Sequence, residues 1–137
     1  MCNSKGCPDM NLKVIECTSW TEKLSSSNRK VLLDVVNEIG YENIRSDSKL
    51  LVLSSDGAKR CGPFCVVYNA VQQISLDREV DIFVITRLLQ LRRPEFISTW
   101  EEYEFCNDVL ADFIQNGLVY ANSRYRSIRN TLISFIR

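Results

Sequence analysis

The sequence contains no histidine. This removes Ser-His and Cys-His nucleophile activation and every histidine-ligated metal site. Six cysteines are present (Cys2, Cys7, Cys17, Cys61, Cys65 and Cys106), yet none forms a CxxC pair, which argues against a zinc ribbon. Neither charge sign is in excess: Lys plus Arg and Asp plus Glu both number 17, so no global field favours nucleic acid or a membrane. The apolar runs are too short to span a bilayer. No apolar signal segment opens the chain, so the cysteines are expected as free thiols in a reducing compartment. No internal repeat or low-complexity stretch is present.

What remains is a chain of 137 residues with 45% hydrophobic content, which suits one globular domain with a core. Residues 1–10 read as a flexible lead-in. "NLKVIEC" (11–17) alternates apolar and polar residues as a strand does. Residues 28–39 place Val31, Leu32, Val35, Val36 and Ile39 on one helical face, with Gly40 as the expected stop. "LLVL" (50–53) has the continuous apolarity of a central strand buried on both faces. Phe64, Val67, Tyr68, Val71 and Ile74 mark a second helix. Phe83, Val84, Leu88 and Leu91 mark a third over roughly 80–92, ended by Pro94. Ser98 with Glu101 suggests a capping box for a fourth helix carrying Trp100, Tyr103, Cys106, Leu110, Phe113 and Ile114, with Gly117 as its end. Cys17, Cys65 and Cys106 are expected in the core. The predicted order is strand, helix, strand, helix, helix, helix: an α/β architecture. Residues 118–137 carry Arg124, Arg126, Arg129 and Arg137 and no acid, a basic tail with Ile128, Leu132 and Ile136 four apart.

The stretch "KLLVLSSDGAKRCGPFC" (49–65) draws the functional question. A strand that enters a helix through a glycine-containing loop turns successive N–H groups toward one point, and the helix N-terminus adds partial positive charge. Arg60 adds a planar fork suited to phosphate oxygens. The loop lacks the GK[ST] of a nucleotide P-loop. Local sequence alone supports an ordinary strand-to-helix turn equally well.

Residues 53–65, "LSSDGAKRCGPFC", resemble the signature loop of protein tyrosine phosphatases, "HCSAGxGRSGTFC". "VDIFVITRLLQLRRPEFISTWEEYEFC" (80–106) resembles that family's closing segment, "VDxFQxVKxLRxQRPxMVQTxEQYxFC". "CTSWTE" (17–22) resembles the family's upstream strand and WPD loop. The resemblance runs from about residue 11 to residue 115. It is closest in kind to the C-terminal half of a second, membrane-distal domain of a receptor tyrosine phosphatase. It implies a partial phosphatase fold over 11–117: a central mixed sheet with flanking helices, and the signature loop between a central strand and a helix. The family's upstream half would then lie outside this chain, leaving a fragment, a short product, or a domain that needs a partner chain.

The departures from the family pattern fall on chemical positions. Ser54 stands at the position of the nucleophilic cysteine, and Leu53 at that of the preceding histidine. Asp56 replaces a small neutral residue, where its carboxylate would repel phosphate or would itself occupy the loop amides and pair with Arg60. Cys61 replaces a hydroxyl residue, in a setting that lowers thiol pKa. Arg60 is kept. Glu22 stands at the general-acid aspartate and Thr21 at the adjacent proline. Ser98 and Glu102 stand at the two water-positioning glutamines. The resemblance therefore implies catalytic positions Ser54, Arg60 and Glu22 that no longer function. The remaining anion site would comprise Ser55, Asp56, Gly57, Ala58, Lys59, Arg60 and Cys61, with no cofactor and no metal.

The functional expectation is a degenerate phosphatase domain acting as a regulatory or protein-binding module in phosphotyrosine signalling. Its partner would be a protein, either an active phosphatase domain or a phosphotyrosine protein, with no nucleic acid and no membrane insertion. Its place would be cytoplasmic, as part of a membrane receptor. The alternative within the enzyme class is a weakly active phosphatase with Glu22 as acid and Cys61 or Ser54 as nucleophile.

Overall fold

The computed structural model describes residues 13–21, 24–43 and 49–120. The lead-in 1–10, Glu22 and residues 121–137 of the basic tail lie outside the described residues. Among those described, the chain forms four helices: α1 (Ser26–Asn43), α2 (Cys61–Asp77), α3 (Ile82–Arg92) and α4 (Trp100–Tyr120). Helix α2 packs against each of the other three, and α1 also packs on α4.

The central place of α2 follows from its composition. Cys61, Phe64, Val66, Val67, Ala70, Val71 and Ile74 are all buried, so a broad apolar face is covered, while Asn69 and Ser75 are exposed. An apolar face this broad is stable only when neighbouring elements cover it. Leu32, Leu33, Val36 and Ile39 of α1 and Phe105, Cys106, Val109 and Leu110 of α4 complete the core. Each such fully buried aliphatic side chain contributes about 1.5–3 kcal/mol through apolar area removed from water. Arg78 ends α2 in the left-handed conformation (φ 60°), its N–H donating to the Ile74 carbonyl. Asp81 caps α3 by accepting from the Val84 N–H at 3.0 Å. Pro94 follows its last residues as expected.

The α/β expectation is corrected: the described residues are helical, and none of them forms a strand or a sheet. A strand exists only through its ladder to a neighbour, and neither 13–18 nor 49–54 has one among the described residues. The run 50–53 is not buried on both faces. Leu51 and Leu53 are 79% and 81% exposed, while Val52 between them packs against the core. The apolar pattern thus reports one face that is covered and one that is not.

Helix boundaries also differ. Helix α1 continues through Gly40 to Asn43, and α4 through Gly117 to Tyr120. A glycine ends a helix only where the chain turns left-handed, and neither does here. The capping box of α4 lies one residue later than expected. Thr99 Oγ1 accepts from the Glu102 N–H at 3.2 Å, and the Glu102 carboxylate accepts from the Thr99 N–H at 3.3 Å. Glu101 lies on the exposed side. Cys17 is exposed rather than in the core, whereas Cys106 is buried. Trp100 is exposed too and lies against Tyr103, while Trp20 packs toward Phe105.

Candidate functional site

The loop 54–60 leads into α2 and is built by its own side chains. Gly57 has φ 65°, a conformation that favours glycine. A side chain there would also meet the Arg93 guanidinium at 3.3 Å. The turn at Gly57 brings Ser54, Asp56 and the N–H groups of 57–59 together. Ser54 Oγ accepts from the Gly57 N–H at 3.0 Å. Asp56 Oδ1 accepts from the Ala58 N–H at 2.9 Å and the Lys59 N–H at 3.2 Å. The Ser54 hydroxyl donates to the same carboxylate oxygen at 3.3 Å.

The charge of Asp56 therefore sits on the Ala58 and Lys59 amides, at an exposed position. Its carboxyl is held below the usual carboxylate range, first by the Ala58 N–H, which desolvation opposes, with lesser help from the Lys59 N–H and the Ser54 hydroxyl. The expected pairing of Asp56 with Arg60 does not occur among the described residues: no ion pair joins them. Arg60 is instead the residue before α2, and no side chain caps that N-terminus.

Cys61 opens α2 and is buried, its thiol donating to Ser54 Oγ at 3.2 Å. Ser54 is thus surrounded: it accepts from Gly57 and Cys61 and gives its proton to Asp56. Burial pushes two other thiols upward. Cys65 rises to about 11, with a smaller contribution from Cys61, and Cys106 to about 12, with a smaller contribution from Glu102. Neither is a thiolate at neutral pH.

A second wall is formed by the turn 94–97. Gly62 lets it approach, since a side chain there would meet Phe96 Cα and Ile97 N at 3.3 Å. Ile97 holds φ 53°, an uncommon conformation for a β-branched residue. Gln90 fixes the turn by donating from Nε2 to the Phe96 and Ile97 carbonyls, both at 3.1 Å. The Glu102 carboxylate accepts from the Ser98 N–H at 2.7 Å and from the Ser98 hydroxyl at 3.2 Å. Ser98 and Glu102 are thus engaged with each other and with the α4 cap.

Arg93 is the residue that sequence reasoning passed over. Its Nη2 donates to the Asp56 carbonyl at 3.4 Å, so the guanidinium covers the outer side of the loop. The signal lay in "RRP", where only the second arginine reaches back. On the upstream side, Thr21 is tied to buried Asn28. Its N–H donates to Asn28 Oδ1 at 3.2 Å, and its carbonyl accepts from Asn28 Nδ2 at 2.9 Å. A proline at 21 would lack that N–H. Among the described residues no group of acidic or cysteine side chains could hold a metal ion. No helix there is long and apolar enough to cross a membrane.

Comparison with known proteins places the sequence in a family. The sequence matches the family model for protein-tyrosine phosphatase over residues 2–112. It is 29% identical to receptor-type tyrosine-protein phosphatase alpha of Mus musculus over 104 residues, 75% of this chain and 12% of that protein. Against receptor-type tyrosine-protein phosphatase epsilon of Rattus norvegicus it is 30% identical over 104 residues, 75% of this chain and 15% of that protein. Against receptor-type tyrosine-protein phosphatase C of Rattus norvegicus it is 28% identical over 121 residues, 80% of this chain and 10% of that protein. The matched segment therefore spans a small part of each relative's length. No solved structure matches at a significant level. With the match running from before the first described residue to within α4, the chain belongs to the protein-tyrosine phosphatase family.

Proposed function

We propose that the chain is a degenerate protein-tyrosine phosphatase domain that binds rather than hydrolyses, a regulatory or protein-binding module in phosphotyrosine signalling. The observation that carries this reading is the Asp56 carboxylate on the Ala58 and Lys59 amides. A phosphate dianion entering the loop would compete for the same N–H groups and meet a fixed negative charge. Ser54 is no substitute nucleophile. Its hydroxyl points at a carboxylate whose pKa is depressed, and such a carboxylate is a weak general base near neutral pH.

The proposal extends to context. The likeness to receptor-type phosphatases supports a second-domain role on the cytoplasmic side of a membrane receptor. Its partner is an active phosphatase domain or a phosphotyrosine protein held by a surface other than the 54–60 loop, and no cofactor is needed. The test is release of inorganic phosphate from a phosphotyrosine peptide by the purified chain. The expected rate equals the buffer blank. Turnover that Arg60→Ala abolishes would overturn the proposal.

A further inference from the structure

Helix α3 is apolar on two sides, and only one is covered. Ile82, Ile85, Thr86 and Leu89 turn toward the core. On the other side Phe83 is 63%, Val84 47%, Leu88 58% and Leu91 78% exposed. Contiguous exposed apolar side chains of this kind mark an interaction surface.

The arrangement of charge on the bare face indicates what covers it. Phe83, Arg87 and Leu91 form one i, i+4 row, and Val84 and Leu88 form the adjacent row. Arg87 therefore has an apolar neighbour in each direction along the exposed face. It donates only to Gln90 Oε1, at 3.3 Å, and has no ion pair among the described residues. No acid lies between Ile82 and Arg92, and a second cation, Arg92, ends the helix. A guanidinium ringed by an aromatic and three aliphatic side chains has the composition of an interface hot spot.

We propose that the outer face of α3 docks an acidic amphipathic helix of a protein partner, with a carboxylate of that helix meeting Arg87 inside an apolar seal. Charge selects this occupant. The chain's own residues 118–137 carry four arginines and no acid, the wrong sign for Arg87 and Arg92. A second copy packed α3 against α3 would place Arg87 against its counterpart. A membrane surface would require Arg87 to sit at the centre of the inserted face, where a charge is most costly, rather than at its margin. The inference is independent of the state of the 54–60 loop.

The probe is a fluorescein-labelled, lactam-stapled helix of 15 residues with leucines along one face and two glutamates among them, titrated by anisotropy. Wild type binds it saturably. Arg87→Glu and Leu88→Asp, both on the exposed face, keep the wild-type circular dichroism and weaken binding by about tenfold or more. A peptide with lysines in place of the glutamates binds Arg87→Glu better than wild type. Absence of saturable binding to wild type, or equal binding of the lysine peptide, overturns the proposal. So does binding to phosphatidylserine vesicles that Leu88→Asp abolishes while peptide binding is unaffected, which assigns the face to a membrane. A sedimentation dimer dispersed by Leu88→Asp also overturns it and assigns the face to a second copy.

Discussion

The loop before α2 and the outer face of α3 are opposite solutions to the same constraint. In the loop, polar groups that could receive a ligand are satisfied internally: Ser54 takes the Gly57 N–H and Asp56 takes the Ala58 and Lys59 N–H groups. On α3, apolar groups that a folded chain would normally cover remain in water. A polar N–H left without a partner is costly, which favours internal acceptors such as Ser54 and Asp56 for the loop amides. An exposed leucine carries a smaller penalty and is tolerated until a partner covers it. The region that resembles an enzyme's site is the closed one, and the open one lies elsewhere.

The largest effect that sharpens this contrast separates covered from uncovered leucines. Leu110 is almost fully buried and Leu91 largely exposed. Leu110→Ala should lose about 2–5 kcal/mol of unfolding free energy by urea denaturation, and Leu91→Ala less than about 0.5 kcal/mol. Equal losses would mean that the α3 face is covered in the isolated chain.

A smaller effect concerns the engaged side of the site. Glu102→Ala removes the carboxylate that receives the Ser98 and Thr99 amides, and should lower stability by about 1–2 kcal/mol. Glu101→Ala, at an exposed position, should be near neutral. The reverse order in thermal denaturation would restore the capping box to Ser98 and Glu101.

The smallest effect is in pH. Because the folded-state pKa of Asp56 is depressed, its contribution to stability is fully present above the unfolded value and is lost as pH falls through the folded one. The difference in stability between wild type and Asp56→Asn should be constant from about pH 5 to 8 and shrink only below about pH 4, the ordinary carboxylate range. A carbon-13 titration of the Asp56 carboxyl with a midpoint above that range would break the account of a carboxylate held by loop amides.

The sequence displayed the helices more faithfully than the sheet. Periodic runs such as Val67, Val71 and Ile74 report a helix through contacts within one segment, so they survive any context. The runs 11–17 and 50–53 could report only a tendency, because a strand is made by a neighbour that such a run does not encode. Phe83, Val84, Leu88 and Leu91 identified α3 correctly, but they mark its exposed face; periodicity cannot tell which apolar stripe meets the core. At the site, the unusual residues Ser54, Asp56 and Cys61 were visible as departures from a family pattern. The partners of Asp56 were not, since acceptance from Ala58 and Lys59 rather than from Arg60 depends on the turn at Gly57. Arg93 was hidden because its contact spans 37 positions along the chain.

The central claim is that Asp56 occupies the anion site of its own loop. Its most direct test is a phosphotyrosine titration of wild type and Asp56→Ala, followed through the backbone amide signals of Ala58 and Lys59. The account predicts unmoved signals in wild type and saturable shifts in the variant, weakened again when Arg60→Ala is added. Saturable shifts in wild type, with no gain in Asp56→Ala, would contradict it.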